Sequence, residues 1–124
     1  EIDLISGHLT STKADPLEII NWQKALNLTG DQMPIINTPK SMIGHCIAGA
    51  GSIESVACAL QLHNGFIHPN INIDSETLHP DIAAILPEEK TPTQTINQEV
   101  NTIIKANFGF GDLNCCLVFR KFEG

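Results

Sequence analysis

The order of local signals along the chain predicts a layered α/β fold with a mixed sheet. Two short apolar, β-branched runs are each followed by a segment of helical character, and two strand-like runs at the end lie close enough to pair as a hairpin. With 124 residues and 42% hydrophobic content, the chain has the size of one domain and can bury a modest core.

The run IDLIS at 2–6 is apolar, ends before Gly7 and reads as a buried strand. After the loop HLTSTKA, Asp15 stands before Pro16 with Glu18 three residues on. A carboxylate that caps free amides, followed by proline in the first turn, predicts a helix to about Leu26 that buries Leu17, Ile20 and one side of Trp22. MPIINT at 33–38 is the second strand. Beyond PKSMIGHCIAGAG, the residues Ile53, Val56, Ala57 and Leu60 recur at i, i+3, i+4 and i+7, which predicts a helix that buries this face and closes at Asn64 and Gly65. Residues 66–99 are rich in Pro and Asn without a sustained period and read as an irregular excursion with one helical turn near 81–86. NTIIKANF and NCCLVFRKF, joined by GFGDL, form the closing hairpin. The first strand starts almost at Glu1, so the chain is expected to be a piece of a longer polypeptide.

A net charge of −7, with only seven Lys and Arg spread along the chain, argues against a nucleic-acid partner. No apolar run approaches the roughly 20 residues that cross a bilayer, and no membrane partner is expected. Cys46, Cys58, Cys115 and Cys116 show no CxxC spacing. They indicate neither a zinc site nor a disulfide framework and read as buried thiols in a reducing, cytoplasmic setting.

In a layered α/β unit, ligand chemistry gathers in the loops that leave the carboxyl ends of strands. His8 follows the first strand and His45 the second; His63, His68 and His79 lie elsewhere. Two imidazoles at such exits can both donate to a developing oxyanion, or one can exchange a proton near neutral pH. Lys40 adds fixed positive charge, and the small residues from Ala48 to Gly51 permit close backbone approach at a helix start.

Three segments carry a family resemblance: GHLTST at 7–12, KSMIGHCIAGAGSIES at 40–55 and NFGFGDLN at 107–114. In this order and spacing they resemble signature segments of the β-ketoacyl-acyl-carrier-protein synthases, which have the thiolase fold of two similar α/β halves. The match is to the later part of the second half, so residues 1–124 are expected to form the C-terminal part of such a synthase. The family joins an acyl chain, held as a thioester on a cysteine, to a malonyl unit on a carrier protein, with release of carbon dioxide. The resemblance implies that His8 and His45 bind the malonyl thioester oxygen and promote decarboxylation, with Lys40 as electrostatic support. It likewise implies that Thr10 and Thr12 hold the phosphopantetheine arm, Phe108 and Phe110 gate the acyl pocket, and Glu18 and Glu54 hold the framework.

No metal or organic cofactor is expected, since the substrates travel on the phosphopantetheine of the acyl carrier protein. Retention of two histidines suits the elongating synthases; initiating relatives replace one with asparagine. Leu9 stands where the family has glycine, the loop from His8 to Glu18 is one residue shorter, and Asp112 and Leu113 replace a Gly-Thr pair. Some members hold a monovalent cation at positions that correspond to Ser6, Glu54, Lys105 and Ala106; the expectation here is that the Lys105 ammonium replaces that cation beside Glu54.

No cysteine of this chain sits at the strand-to-helix turn that activates a thiol, so the nucleophile is assigned to the missing first half and the isolated segment is expected to be inactive. Two other readings are a non-catalytic chain-length partner subunit and a small acyl-binding interaction module. The full-length protein is expected to be a homodimer or heterodimer. An exposed apolar patch is expected where the first half packs.

Overall fold

The structure is a computed structural model that describes residues 1–74 and 76–122. Its strands are β1 (Leu4–Ser6), β2 (Ile35–Asn37), β3 (Phe66–Ile67), β4 (Ile96–Asn97), β5 (Thr102–Gly109) and β6 (Leu113–Arg120). The helices are α1 (Asp15–Leu26), α2 (Lys40–Ile43), α3 (Ala50–Asn64) and α4 (Pro80–Ala83). The main sheet has the order β2-β1-β5-β6; β1 runs parallel to both β2 and β5, and β6 returns antiparallel to β5. The sheet is therefore mixed, as the order of signals predicts.

Alternation along the strands divides the core between two faces. Leu4 and Ile103 pack with Cys58 and Leu62 of α3 and with Ile67, while Ile5 and Ile36 pack with Ile19 of α1, Met33, Ile82 of α4 and Leu86. α3 covers one face, and α1 with α4 covers the other.

Helix faces depart from expectation. In α1, Leu17 is 57% exposed, and Pro16, Glu18 and Ile19 are the buried residues. Asp15 does not cap the helix; its carboxylate turns back to accept from the amides of Thr10, Ser11 and Thr12 at 3.1, 3.0 and 3.3 Å. In α3 the expected face is inverted. Ile53, Val56 and Leu60 are exposed, and the buried stripe is Ala50, Glu54, Cys58 and Gln61, with Leu62 beside it. The periodicity itself is helical, but an ion-paired carboxylate rather than an apolar side chain faces the sheet.

The excursion is less irregular than its composition implies. β3 and β4 pair antiparallel within it, and asparagines fasten it to the site-bearing elements. Asn70 accepts from Thr38 N and donates to Ile36 O, and Asn72 donates to Ser41 O, each at 3.0 Å. Gly65 closes α3 at φ 68°, a left-handed conformation that glycine adopts without a side-chain clash.

Only Cys58 is a buried thiol. Cys115 and Cys116 are exposed, which corrects the uniform burial expected for them. They point to opposite sides of β6, an edge strand of which only Phe119 is partly buried, against the α3-side core. The described residues expose apolar side chains on α3 and on β6, including Val56 (60%), Leu113 (74%) and Val118 (66%). No helix among them is long and apolar enough to cross a membrane.

Candidate active site

His8 leaves the carboxyl end of β1, and its backbone is tied by Glu18 of α1. The Glu18 carboxylate accepts from His8 N at 2.8 Å, from Leu9 N at 2.9 Å and from the Trp22 indole at 3.3 Å. Burial raises the Glu18 pKa above its ordinary 4.5, against the pull of these donors. Gly7 makes the arrangement possible, because a Cβ there would lie 3.0 Å from Glu18 Oε1 and 3.0 Å from Leu9 Cγ. Asp15 fixes the next part of the loop, where Ser11 takes φ 58° and the Thr10 and Thr12 hydroxyls lie 3.2 Å apart.

Lys40 opens α2 after β2, and Gly44, at φ 73°, turns the chain into His45. The Ile47 amide donates to His45 Nδ1 at 2.9 Å, so the neutral ring carries its proton on Nε2. To aim that amide, Ile47 adopts φ 48°, an unusual conformation for a β-branched residue. The two imidazoles meet edge to face with centroids 5.3 Å apart, and Phe108 packs on His8 at 5.6 Å. Phe110 stands outside this group in the β5–β6 turn, 98% exposed.

Beneath the rings lies a charge cluster. Ile103, Lys105 and Asn107 alternate onto the face of β5 that meets α3, and Glu54 rises from α3 to meet the last two. Lys105 Nζ is 2.5 Å from Glu54 Oε2 and 2.5 Å from Asn107 Oδ1; Asn107 Nδ2 donates to Glu54 Oε2 at 2.8 Å. The other carboxylate oxygen, Oε1, is ion-paired with Lys40. Glu54 and Lys105 are each 1% exposed and Lys40 is 8% exposed. Burial alone would raise the Glu54 pKa, but the donors Lys105, Lys40 and Asn107 outweigh it and hold the carboxyl below 4.5. The His8 pKa is lowered below 6.5, first by burial and then by the charges of Lys40 and His45, with Lys105 adding to them and Glu54 opposing.

A cavity of about 690 Å³ opens beside the cluster. Thr10, Thr12, Lys40 and His45 line one wall; Asn70, Ile71 and Ile73 of the excursion line another. His8 lies alongside His45 rather than in the cavity wall. Among the described residues no group of three or more His, Cys, Asp or Glu is arranged to hold a metal ion. Ser6 and Lys105 are register partners on β1 and β5, and the Lys105 ammonium stands beside Glu54 where the resemblance implies a cation, so the residues present do not fit an added ion.

The sequence reading missed the roles of Asn107 and the Ile47 amide, and it gave Asp15 to the helix rather than to the loop amides it binds. Asn107 was legible in one respect, since it lies two residues from Lys105 on one strand face and so shares its surroundings. Nothing in residue type marks Ile47, which acts through its backbone.

A mixed α/β sheet with both histidines in loops after adjacent strands is consistent with the thiolase-like fold that the resemblance implies. The chain belongs to the β-ketoacyl synthase family: residues 1–74 match the family model described as "Beta-ketoacyl synthase, C-terminal domain". It is 35% identical over 123 residues to 3-oxoacyl-[acyl-carrier-protein] synthase 1 of Haemophilus influenzae, covering 99% of this chain and 29% of that protein. It is 36% identical over 123 residues to 3-oxoacyl-[acyl-carrier-protein] synthase 1 of Escherichia coli K12, covering 98% and 28%. Among solved structures it resembles the ishigamide ketosynthase/chain length factor (TM-score 0.85, 30% identity, 99% of this chain and 28% of that one). It also resembles a chain of AntDE:AntF, a type II PKS acyl-carrier protein in complex with its ketosynthase (TM-score 0.82, 30% identity, 98% and 28%). The chain thus spans less than a third of the length of these relatives.

Proposed function

We propose that this chain is the C-terminal part of an elongating 3-oxoacyl-[acyl-carrier-protein] synthase and supplies the histidine half of its active site. The observation that carries this reading is the pair of touching imidazoles, His8 and His45, one with its donor fixed on Nε2 by the Ile47 amide.

In this mechanism His45, with His8 beside it, donates to the thioester oxygen of a malonyl unit. The bond to the malonyl carboxylate breaks, carbon dioxide leaves, and the electron pair becomes an enolate whose oxygen the imidazoles stabilise. The enolate carbon attacks an acyl thioester, forms the new C–C bond and expels the thiolate that held the acyl group. Lys40, paired to Glu54 at the cavity wall, contributes positive charge throughout. Thr10 and Thr12 face the same cavity and suit a pantetheine arm, while Phe108 packs against His8 beside the acyl site and Phe110 extends from the adjoining turn.

The acyl-holding cysteine is assigned to the rest of the synthase, because Cys46 sits beside His45, Cys58 is buried in α3, and Cys115 and Cys116 lie on β6. The isolated chain is therefore inactive on this reading. The exposed apolar residues of α3 and β6 fit packing against that remainder. An acyl carrier protein is the partner that delivers both substrates, as the carrier-bound ketosynthase relative suggests. The test is carbon dioxide release from malonyl-carrier protein by the complete synthase. His45→Ala should lower it by at least about 100-fold, the loss expected for an oxyanion donor. Release at the unaltered rate would refute the assignment.

A further inference from the structure

We infer that Lys105 is a positioning residue that keeps the Glu54 cluster one positive charge in surplus, so that Lys40 presents uncompensated charge to the cavity. The inference rests on the reading above, that the cavity receives a malonyl thioester.

The geometry divides the Glu54 carboxylate between two ammonium groups. Oε2 takes Lys105 and Asn107, and Oε1 takes Lys40. One carboxylate and two ammoniums, all buried, leave a net charge of plus one in the protein interior. Folding alone would not favour this, because a buried charge without a counter-charge is expensive and a single Lys40–Glu54 pair would already be neutral. Of the two lysines, only Lys40 lines the cavity; Lys105 is enclosed between β5 and α3 and cannot reach a ligand. Around the cluster stand His8 and His45, with Asn107 neutral and no second carboxylate contacting either lysine among the described residues. The surplus is therefore directed at the cavity, where the proposed reaction brings a carboxylate and then develops an enolate. Lys105 does what an added cation would do, but covalently, consistent with the lack of room for an ion beside Glu54.

This makes an unusual demand of a variant. Lys105→Met keeps the bulk of the side chain and leaves Glu54 paired to Lys40 and bonded to Asn107, so the cluster becomes neutral. A residue needed only for structure would lose stability and rate together. A residue that maintains surplus charge should lose rate while the fold keeps or gains stability, because an unfavourable buried charge has been removed.

The experiment compares the complete synthase with its K105M, E54Q and K105M/E54Q variants, measuring the melting temperature of each and kcat and KM for carbon dioxide release from malonyl-carrier protein. For K105M we expect a melting temperature equal to or above that of the unaltered synthase. Its kcat should fall by about ten- to thirtyfold with KM within about twofold, as for loss of one charge at the edge of the site. The double variant restores the surplus, with Lys40 alone charged, and should recover at least about threefold of the lost kcat. A K105M enzyme that melts early or fails to fold, that keeps kcat within twofold, or that the second substitution does not improve would overturn the inference. If the unaltered synthase released no carbon dioxide, the functional reading would fall instead. The melting temperatures would then still decide whether the surplus charge exists.

Discussion

Glu18 offers the sharpest test of how the fold positions the site, because it makes no contact with the cavity yet holds the backbone of His8. The perturbation is Glu18→Gln, which preserves shape and removes one acceptor. In the native loop both carboxylate oxygens are used, at 2.8 Å by His8 N and 2.9 Å by Leu9 N. A glutamine retains one carbonyl oxygen and turns an NH2 group toward the other amide, so one charge-assisted bond, worth about 1.5–3 kcal/mol, is lost and a buried N–H is left facing a donor. Against this, burial already disfavours the Glu18 carboxylate, and glutamine escapes that penalty. The balance is a destabilisation of about 1–2 kcal/mol, with Glu18→Ala larger because it orphans both amides.

In a complete synthase more than three times the length of this chain, this corresponds to a melting temperature lower by about 1–2 °C for the glutamine variant. Displacement of the His8 loop should also lower the rate of carbon dioxide release by about tenfold, equivalent to 1.4 kcal/mol in the barrier. The sign of the pH dependence adds a second check. A carboxyl whose native pKa is raised above 4.5 favours the fold most at low pH and loses that contribution as pH rises through the window between 4.5 and the native value; the glutamine variant should lack this drift. A variant with unchanged melting temperature and rate would show that His8 is held by something other than these two bonds, and the reasoning would be wrong.

Gly65→Ala should cost about 1–2 kcal/mol, because φ 68° is left-handed while the added methyl meets Gln98 O only at an ordinary 3.5 Å; Gly49→Ala, whose methyl approaches nothing closer than 3.8 Å, is the control that thermal unfolding should find near neutral. Stability should fall on acidification in two stages. His8 and His68, both with pKa values lowered chiefly by burial, resist protonation as pH drops below 6.5, and Glu54, held below 4.5 by its donors, surrenders its contribution when it is finally protonated. Melting curves from pH 7 to well below 4.5 test this, and His68→Gln should flatten the first stage; a stability that rises on acidification from pH 7 to 5 would contradict it.

The parts of the fold that followed from sequence were those where local chemistry decides. Gly65 after Asn64 closed α3 where a left-handed residue was needed, and the two closing apolar runs joined by GFGDL gave β5 and β6 to within two residues at each end. The loop histidines were singled out because strand exits in α/β sheets are predictable places for ligands, and the structure brings their rings together. Elements set by tertiary partners were not legible. β3 and β4 are two residues each and exist because they pair with each other, and the role of Asn70 depends on the open end of β2 thirty-four residues earlier. Ile47 contributes an amide, and no side-chain property could announce that.

The inverted face of α3 shows why apolar periodicity locates a helix more reliably than it orients one. Counting apolar residues assumes that the richer face is the one the chain buries for itself, yet Glu54 faces the sheet while Ile53, Val56 and Leu60 face out. Glu54 is buried because two lysines and an asparagine receive it, an arrangement assembled from β5 and α2 that no single-helix pattern contains. The exposed stripe is intelligible on the proposed reading, in which the chain is part of a synthase more than three times its length: a helix between two parts of such a protein needs apolar residues on the side its own sheet does not use. On the proposed function, the charge beside the candidate site occupies the inner face and the apolar packing surface the outer one. For the same reason Leu117 and Val118, on opposite sides of β6, are both left uncovered. On that reading, a charged residue at a buried helical position beside an unpaired apolar stripe marks a helix that serves a site on one side and an interface on the other.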